Sequence, residues 1–174
     1  ALVDEPLTSL ISLPRAGIEE PADLRGKTVA TAGIPYQADY LATILGEAGV
    51  PGDEVTTVNV GFNLLPALLG GRADAILGGF RNVEGVDLAE RGEDPRVVPV
   101  DRLGVPTYDE LVLVASADSV EEDAEALRLF LSALAKGTAS AVANPAAATE
   151  SVLAAGKGLD PALTRAEVAA TLPL

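Results

Sequence analysis

An open α/β fold with a mainly parallel sheet is what this sequence predicts, on three observations. Short β-rich runs alternate with stretches of helical period over residues 28–100. Each run leaves through a loop that carries Gly. Strand candidates end at Ala115, beyond which residues 119–174 read as helix. Alternation of this kind is the sequence form of βαβ units, which pack helices on a parallel sheet.

Residues 7–13 form an apolar run ended by Pro14, which reads as a buried or crossing strand. Residues 21–24 make one helical turn before Gly26, and residues 28–32 a strand. After Gly33-Ile-Pro35 an amphipathic helix is expected over 36–48, with Tyr40, Leu41, Ile44, Leu45 and Ala48 on one face. Gly49 and Pro51 stop it. Residues 55–60 are the next strand and 64–69 a short helix closed by Gly70-Gly71. Residues 75–77 are a third strand with its exit at 78–81, followed by a helix over 82–91 and a short strand over 97–100. Residues 110–115 read as one more strand. In the tail, Ser119-Val-Glu-Glu122 is a capping-box pattern opening a long helix. Asn144-Pro145 and Asp160-Pro161 pair a cap with a first-turn proline, while Thr164-Arg-Ala-Glu167 opens or sits inside the last helix. Three tail helices are expected.

Composition narrows the function. The 174 residues carry 12 Lys+Arg against 26 Asp+Glu, a formal charge of −14, with no His, Cys, Met or Trp. No basic cluster is present to meet a phosphate backbone, so nucleic acids and anionic membrane surfaces are excluded as partners. Disulfides, a thiol nucleophile, zinc sites of the usual N/S type and imidazole acid–base catalysis are excluded within this chain. No metal site and no cofactor site is expected. The Ala-rich stretch 131–148 is interrupted by Lys136, Gly137, Asn144 and Pro145, so no spanning helix and no signal segment is expected, and the chain should be soluble. A chain that starts at Ala1 and contains no Met is expected to be processed or a fragment.

In open α/β sheets ligands bind beyond the carboxyl ends of the strands, where helix N-termini offer unpaired N–H groups. Three exits can be read: Thr31-Ala-Gly33-Ile-Pro35, Val60-Gly-Phe62-Asn63 and Gly78-Gly-Phe80-Arg81-Asn82-Val-Glu84. The chain has six aromatic residues, and Tyr36, Phe62 and Phe80 stand at these exits, which suggests apolar walls for a compact or planar ligand. Each residue has a structural alternative. Asn82 caps the third helix or contacts ligand; Glu84 favours the helix dipole, for about 0.3–1 kcal/mol, or accepts from ligand; Phe62 and Phe80 are walls or core; Arg81 is a surface ion-pair residue or an anion contact. Asp74, before the third strand, reads as a turn residue.

Together these pieces resemble a known family. Glu5-Pro-Leu-Thr-Ser-Leu-Ile11, Asp23-Leu-Arg-Gly-Lys-Thr-Val29, Thr31-Ala-Gly-Ile34, Thr57-Val-Asn-Val-Gly-Phe-Asn63 and Gly78-Gly-Phe-Arg-Asn-Val-Glu-Gly85 are similar to the solute-binding proteins of ABC transporters. Within them the chain is most similar to the thiamine-precursor group, which is related to the thiamine-pyrimidine synthases. The resemblance implies one lobe of a type II periplasmic-binding-protein fold plus C-terminal helices. Residues 1–13 would form a first crossing strand, 14–104 the α/β ligand-binding lobe, 105–118 a return crossing, and 119–174 helices packing on a first lobe outside this chain. It implies ligand contacts from Thr31, Gly33, Phe62, Asn63, Phe80, Arg81, Asn82 and Glu84. Glu84 would accept from the amino group and protonated ring nitrogen of an aminopyrimidine, Asn82 would complement it, and Phe80 would stack on the ring. Arg81 stands where the group often has Trp, which leaves a sulfonate, carboxylate or phosphate ester as the alternative ligand.

The function so implied is that of an extracytoplasmic component of an ABC importer, which captures a small molecule and delivers it to a membrane permease by lobe closure rather than by chemistry. The alternative is a synthase-like enzyme. Those enzymes use a Cys-rich segment, a His and a cofactor-linked Lys, whereas this chain has only Lys27, Lys136 and Lys157 to offer. A sensory domain on the same fold is a third reading. The isolated lobe is also expected to self-associate through any bare apolar surface.

Overall fold

The computed structural model describes residues 1–174, which fall into two compact units: Asp4–Glu110, and Ala1–Val3 with Leu111–Leu174. The first unit is built on five strands: β1 (Thr8–Ser12), β2 (Thr28–Thr31), β3 (Thr56–Asn59), β4 (Ala75–Phe80) and β5 (Arg96–Pro99). Their order across the sheet is β3-β2-β4-β1-β5. β2 runs parallel to β3 and β4, while β1 pairs antiparallel with both β4 and β5. The apolar run at 7–13 therefore becomes an interior strand, which explains why β1 is buried at every position: a strand flanked on both edges and covered on both faces shows no alternation.

Side chains of successive strand residues point to opposite faces, and the core divides accordingly. Val29, Ala75, Leu77 and Leu10 pack with Leu41, Ile44 and Leu45 of α1 (Pro35–Glu47). Ala30, Ile76 and Ile11 pack with Leu64, Ala67 and Leu68 of α2 (Leu64–Leu69) and Leu88 of α3 (Glu84–Glu90). The helical face read for α1 is the buried one, with Tyr40 and Ala48 partly buried at its margin. Asp74 does more than turn the chain: its Oδ2 accepts the Thr28 N–H at 2.8 Å and its own N–H donates to the Thr28 carbonyl at 2.8 Å, tying the amino ends of β4 and β2.

Three boundaries differ from the sequence expectation. β4 runs to Phe80, so Gly78 and Gly79 lie within a strand. Ser9 faces Gly79 and Leu10 faces Leu77, leaving Gly78 as the extra residue of a bulge at φ +108°; its lack of a side chain permits that backbone. The third helix starts at Glu84 with Val83, not Asn82, at its N-cap position. Of residues 110–115 only Leu111 pairs, in an isolated antiparallel bridge with Val3. A strand requires partners for its N–H and C=O groups along its length, and the next three residues, Val112 to Val114, are exposed.

The second unit carries four helices rather than three: α4 (Ala117–Glu122), α5 (Ala124–Ala143), α6 (Pro145–Ala155) and α7 (Pro161–Thr171). The cap at the start is Ser116, whose Oγ accepts the Ser119 N–H at 3.0 Å, and the helix breaks at Asp123 instead of running on. Thr164 and Glu167 lie inside α7. The two Pro-linked caps form as read. Asn144 Oδ1 accepts the Ala147 N–H at 3.1 Å, and Asp160 Oδ1 accepts those of Ala162 and Leu163 at 2.9 and 2.8 Å. Asp160→Ala orphans both donors at the start of α7 and should cost about 1 kcal/mol; an unchanged thermal midpoint, with Asp160→Ser also unchanged, would remove the cap from the stability account. By length and composition α5 is apolar enough to cross a membrane, with a mean hydropathy of 1.2 over its best window and no buried residue. The helix starts at Ala124, before the Leu131 that opens the Ala-rich stretch, and so it is longer than that stretch alone suggests.

Candidate functional site

The carboxyl ends of β2, β3 and β4 lie side by side, since these strands are parallel and adjacent in the order β3-β2-β4. β1 runs the other way, so its first residue, Thr8, pairs with the last of β4, Phe80. Side chains from four strands and from the segment ending at Glu110 therefore converge on one end of the sheet.

At the β2 and β3 exits, Thr31 is buried and its Oγ1 accepts the Gly33 N–H at 3.3 Å. Gly33 sits at φ +76°, and a Cβ there would fall 2.1 Å from the Asn59 Nδ2. Asn59 in turn accepts the Gly61 N–H through Oδ1 at 2.9 Å, so one side chain shapes both exits. Phe62 is 89% exposed, which overturns its core alternative. Asn63 stands at the N-cap position of α2 but its Nδ2 donates to the Val60 carbonyl at 3.2 Å rather than its oxygen capping the helix.

At the β4 exit the structure brings Phe80, Arg81, Asn82 and Glu84 together in one turn. Glu84 Oε2 accepts the Phe80 N–H at 2.7 Å, so the carboxylate folds back over the strand end. That bond occupies one of about four acceptor positions on a carboxylate. Gly79 is closely packed there, since a Cβ on it would meet Ile11 Cδ1 at 3.1 Å, Ile76 Cδ1 at 3.2 Å and Glu84 Cβ at 3.3 Å. Asn82 is buried at 7% exposure, and its helix-cap alternative is overturned by the α3 start at Glu84. Phe80 is half-buried. Arg81 donates its backbone N–H to the Leu7 carbonyl at 3.0 Å and pairs its guanidinium with the Glu5 carboxylate.

Several residues at this end of the sheet were missed. Gln37 is 1% exposed; its Oε1 accepts the Ala32 N–H at 2.9 Å and the Ile34 N–H at 3.4 Å, fixing the β2 exit, while its Nε2 covers Gly78. Glutamine as the third residue of a helix that opens on Pro35 is half of a capping-box signal, and it was available in the sequence. Glu110 gathers four donors: the Leu7 and Thr8 N–H groups on Oε2 at 2.8 and 2.9 Å, the Tyr108 hydroxyl on Oε2 at 3.0 Å, and the Thr8 hydroxyl on Oε1 at 3.2 Å. No local signal announces contacts 103 residues apart. Tyr36, Tyr40 and Tyr108 stack in tilted contacts of 5.1 and 5.7 Å. Burial, followed by the charge of Glu110, raises the Tyr36 hydroxyl above the usual phenol value. Burial likewise raises Tyr108, with Tyr40 and Glu110 adding to it. Both phenols are therefore neutral donors at neutral pH.

Chemically, this end of the sheet offers carboxylate acceptors, amide groups and aromatic faces. Lys27 is not there: it precedes β2 at the amino end, and its Nζ donates to the Ala16 carbonyl at 2.7 Å. Lys136 and Lys157 belong to the other unit.

The fold is that of one lobe of the periplasmic binding proteins. The aliphatic sulphonate-binding protein SsuA of Escherichia coli superposes with a TM-score of 0.70 at 16% identity, covering 96% of this chain and 56% of that one. The alkanesulfonate-binding protein SsuA of Xanthomonas axonopodis gives 0.66 at 16% identity, over 97% and 56%. The chain belongs to the NMT1/THI5-like family, which it matches over residues 1–148. It is 40% identical over 146 residues to the formylaminopyrimidine-binding protein of Halalkalibacterium halodurans, covering 83% of this chain and 44% of that protein. To the 4-amino-5-hydroxymethyl-2-methylpyrimidine phosphate synthase of Aspergillus parasiticus it is 30% identical over 163 residues, covering 86% and 46%. The chain thus spans about half the length of the curated relatives it matches. Its relatives are of both kinds, binding protein and synthase.

Proposed function

We propose that this chain is the ligand-binding lobe and C-terminal helices of an extracytoplasmic solute-binding protein of an ABC importer, and that its ligand is an aminopyrimidine precursor of thiamine. The observation that carries the reading is the Glu84 carboxylate folded over the β4 exit, in a chain 40% identical to a formylaminopyrimidine-binding protein. A carboxylate so held accepts from an exocyclic amino group and a protonated ring nitrogen in one paired, charge-assisted contact. Asn82 supplies a donor and an acceptor beside it, Phe80 a ring face, and Thr31, Gly33, Phe62 and Asn63 the neighbouring exits.

In this reading residues 14–104 form one wall of the cleft, 1–13 and 105–118 carry the chain to and from a first lobe, and 119–174 pack on that lobe. The apolar residues left exposed in the second unit, among them Val114, Leu129 and Phe130, support a covered surface there. Closure of the two lobes on the ligand, followed by docking to a membrane permease, replaces catalysis. The pairing of Arg81 with Glu5 gives no support to an anionic ligand, and the placement of Lys27 far from the exits gives none to a cofactor-linked lysine. The likeness to SsuA covers 96% of the chain, which includes most of α5 and supports its place in that fold.

Calorimetry on the full-length protein tests this, with aminopyrimidines set against alkanesulfonates, small carboxylates and phosphate esters. Aminopyrimidines should bind tightly and the anions weakly; the reverse order would overturn the ligand. Glu84→Gln retains an oxygen for the Phe80 N–H but loses the charge, so it should weaken pyrimidine binding by about 1–3 kcal/mol while leaving the thermal midpoint nearly unchanged. Unaltered affinity would return Glu84 to a purely structural bond with Phe80.

A further inference from the structure

Across the exits at 31–35, 60–63 and 78–84, Arg81 is the one cationic residue. Its guanidinium is bound by Glu5, from the segment leading into β1, with side-chain exposures of 24% for Arg81 and 48% for Glu5. An ion pair this exposed contributes little to folding. The Arg81 backbone is already held by the Leu7 carbonyl, so the pair is not needed to place the residue. Arg81 Nε is buried without a hydrogen-bond partner, so Glu5 is the acceptor the structure shows on the guanidinium. What the pair does accomplish is to neutralise the one cation of the three exits, in a chain of formal charge −14.

We infer that Glu5 is a specificity-determining residue, which masks Arg81 so that the site admits an uncharged or cationic amino-heterocycle and rejects its anionic, phosphorylated counterpart. This deepens the proposed function and rests on it for the location of the site. An anion arriving at the β4 exit meets Glu84 and a neutralised Arg81. It gains no counter-charge, and the net negative field of the chain opposes its approach. Discrimination by a repulsive or withheld charge needs no contact with the phosphate itself.

The test uses the full-length protein, wild type and Glu5→Gln, titrated with 4-amino-5-hydroxymethyl-2-methylpyrimidine and with its phosphate ester. In the wild type the alcohol should bind more tightly than the ester. Glu5→Gln should shift the ratio of the two affinities about five- to tenfold toward the ester, and raised salt should shrink that shift. Adding Arg81→Gln to Glu5→Gln should abolish it. An unchanged ratio in Glu5→Gln, or a gain that persists without Arg81, would overturn the inference. Inorganic phosphate and ethanesulfonate are titrated alongside. If the wild type binds neither pyrimidine, the ligand reading falls, yet an Arg81-dependent gain for these anions in Glu5→Gln still supports the masking role, and no gain overturns it.

Discussion

Glu110→Ala is expected to destabilise the fold by about 3–5 kcal/mol, the largest loss from any single carboxylate in the chain. The carboxylate accepts from two backbone N–H groups, a threonine hydroxyl and a tyrosine hydroxyl. Thr8 is fully buried and Leu7 is 2% exposed, so water cannot easily replace the lost oxygens at those amides. An orphaned buried donor costs about 1–3 kcal/mol, more than the net worth of the bond that satisfied it. Glu110→Gln keeps one oxygen and should lose roughly half as much. Urea unfolding gives the magnitude, and hydrogen exchange gives the place, because the Leu7 and Thr8 amides should lose protection selectively. A loss below about 1 kcal/mol, or exchange unchanged at those two amides, would show that other groups take over the acceptor role.

Gly78→Ala should cost about 3–5 kcal/mol through two separable effects. The residue sits at φ +108° in the β4 bulge, a conformation that L side chains rarely adopt. Its new Cβ would also fall 2.1 Å from the Gln37 Nε2 and 2.9 Å from its Cδ. Gln37 cannot simply swing aside, since it is 1% exposed and its oxygen is bonded to the Ala32 and Ile34 amides. A double-mutant cycle separates the effects. With Gln37→Ala the steric part disappears and a residual strain of about 1–3 kcal/mol remains. Strict additivity of the two substitutions would mean that they do not touch. Because Gln37 fixes the β2 exit and Gly78 leads into Phe80 and Glu84, the cycle also couples the two sides of the proposed site.

Much of the fold was legible from short windows of sequence. β2, α1, β3 and α2 fall within about two residues of where periodicity and Gly/Pro stops put them, and the Asn144 and Asp160 caps form as their pattern requires. The β4 exit was legible only in part, since the strand was expected to end at Leu77 and runs to Phe80, which leaves Arg81, Asn82 and Glu84 beyond its end. Errors arose where a local rule met a distant partner. β4 extends through two glycines because β1 is there to pair with it. The expected strand after Glu110 shrinks to a bridge because only Val3 meets it. The helix-cap alternative for Asn82 falls because Glu84 begins the helix.

What the chain declares on its own is therefore the α/β class, the exits of β2 and β3, and a composition without thiol or imidazole groups. Such features depend on residue identity and on spacings of a few residues, which no tertiary contact can alter. The antiparallel insertion of β1 between β4 and β5, the Glu110 cluster, the Gln37–Gly78 contact and the masking of Arg81 by Glu5 were decided only by folding. Each joins residues dozens of positions apart, and such a contact exists only once the closed sheet has brought the separated segments together; it does not come from any preference those segments carry.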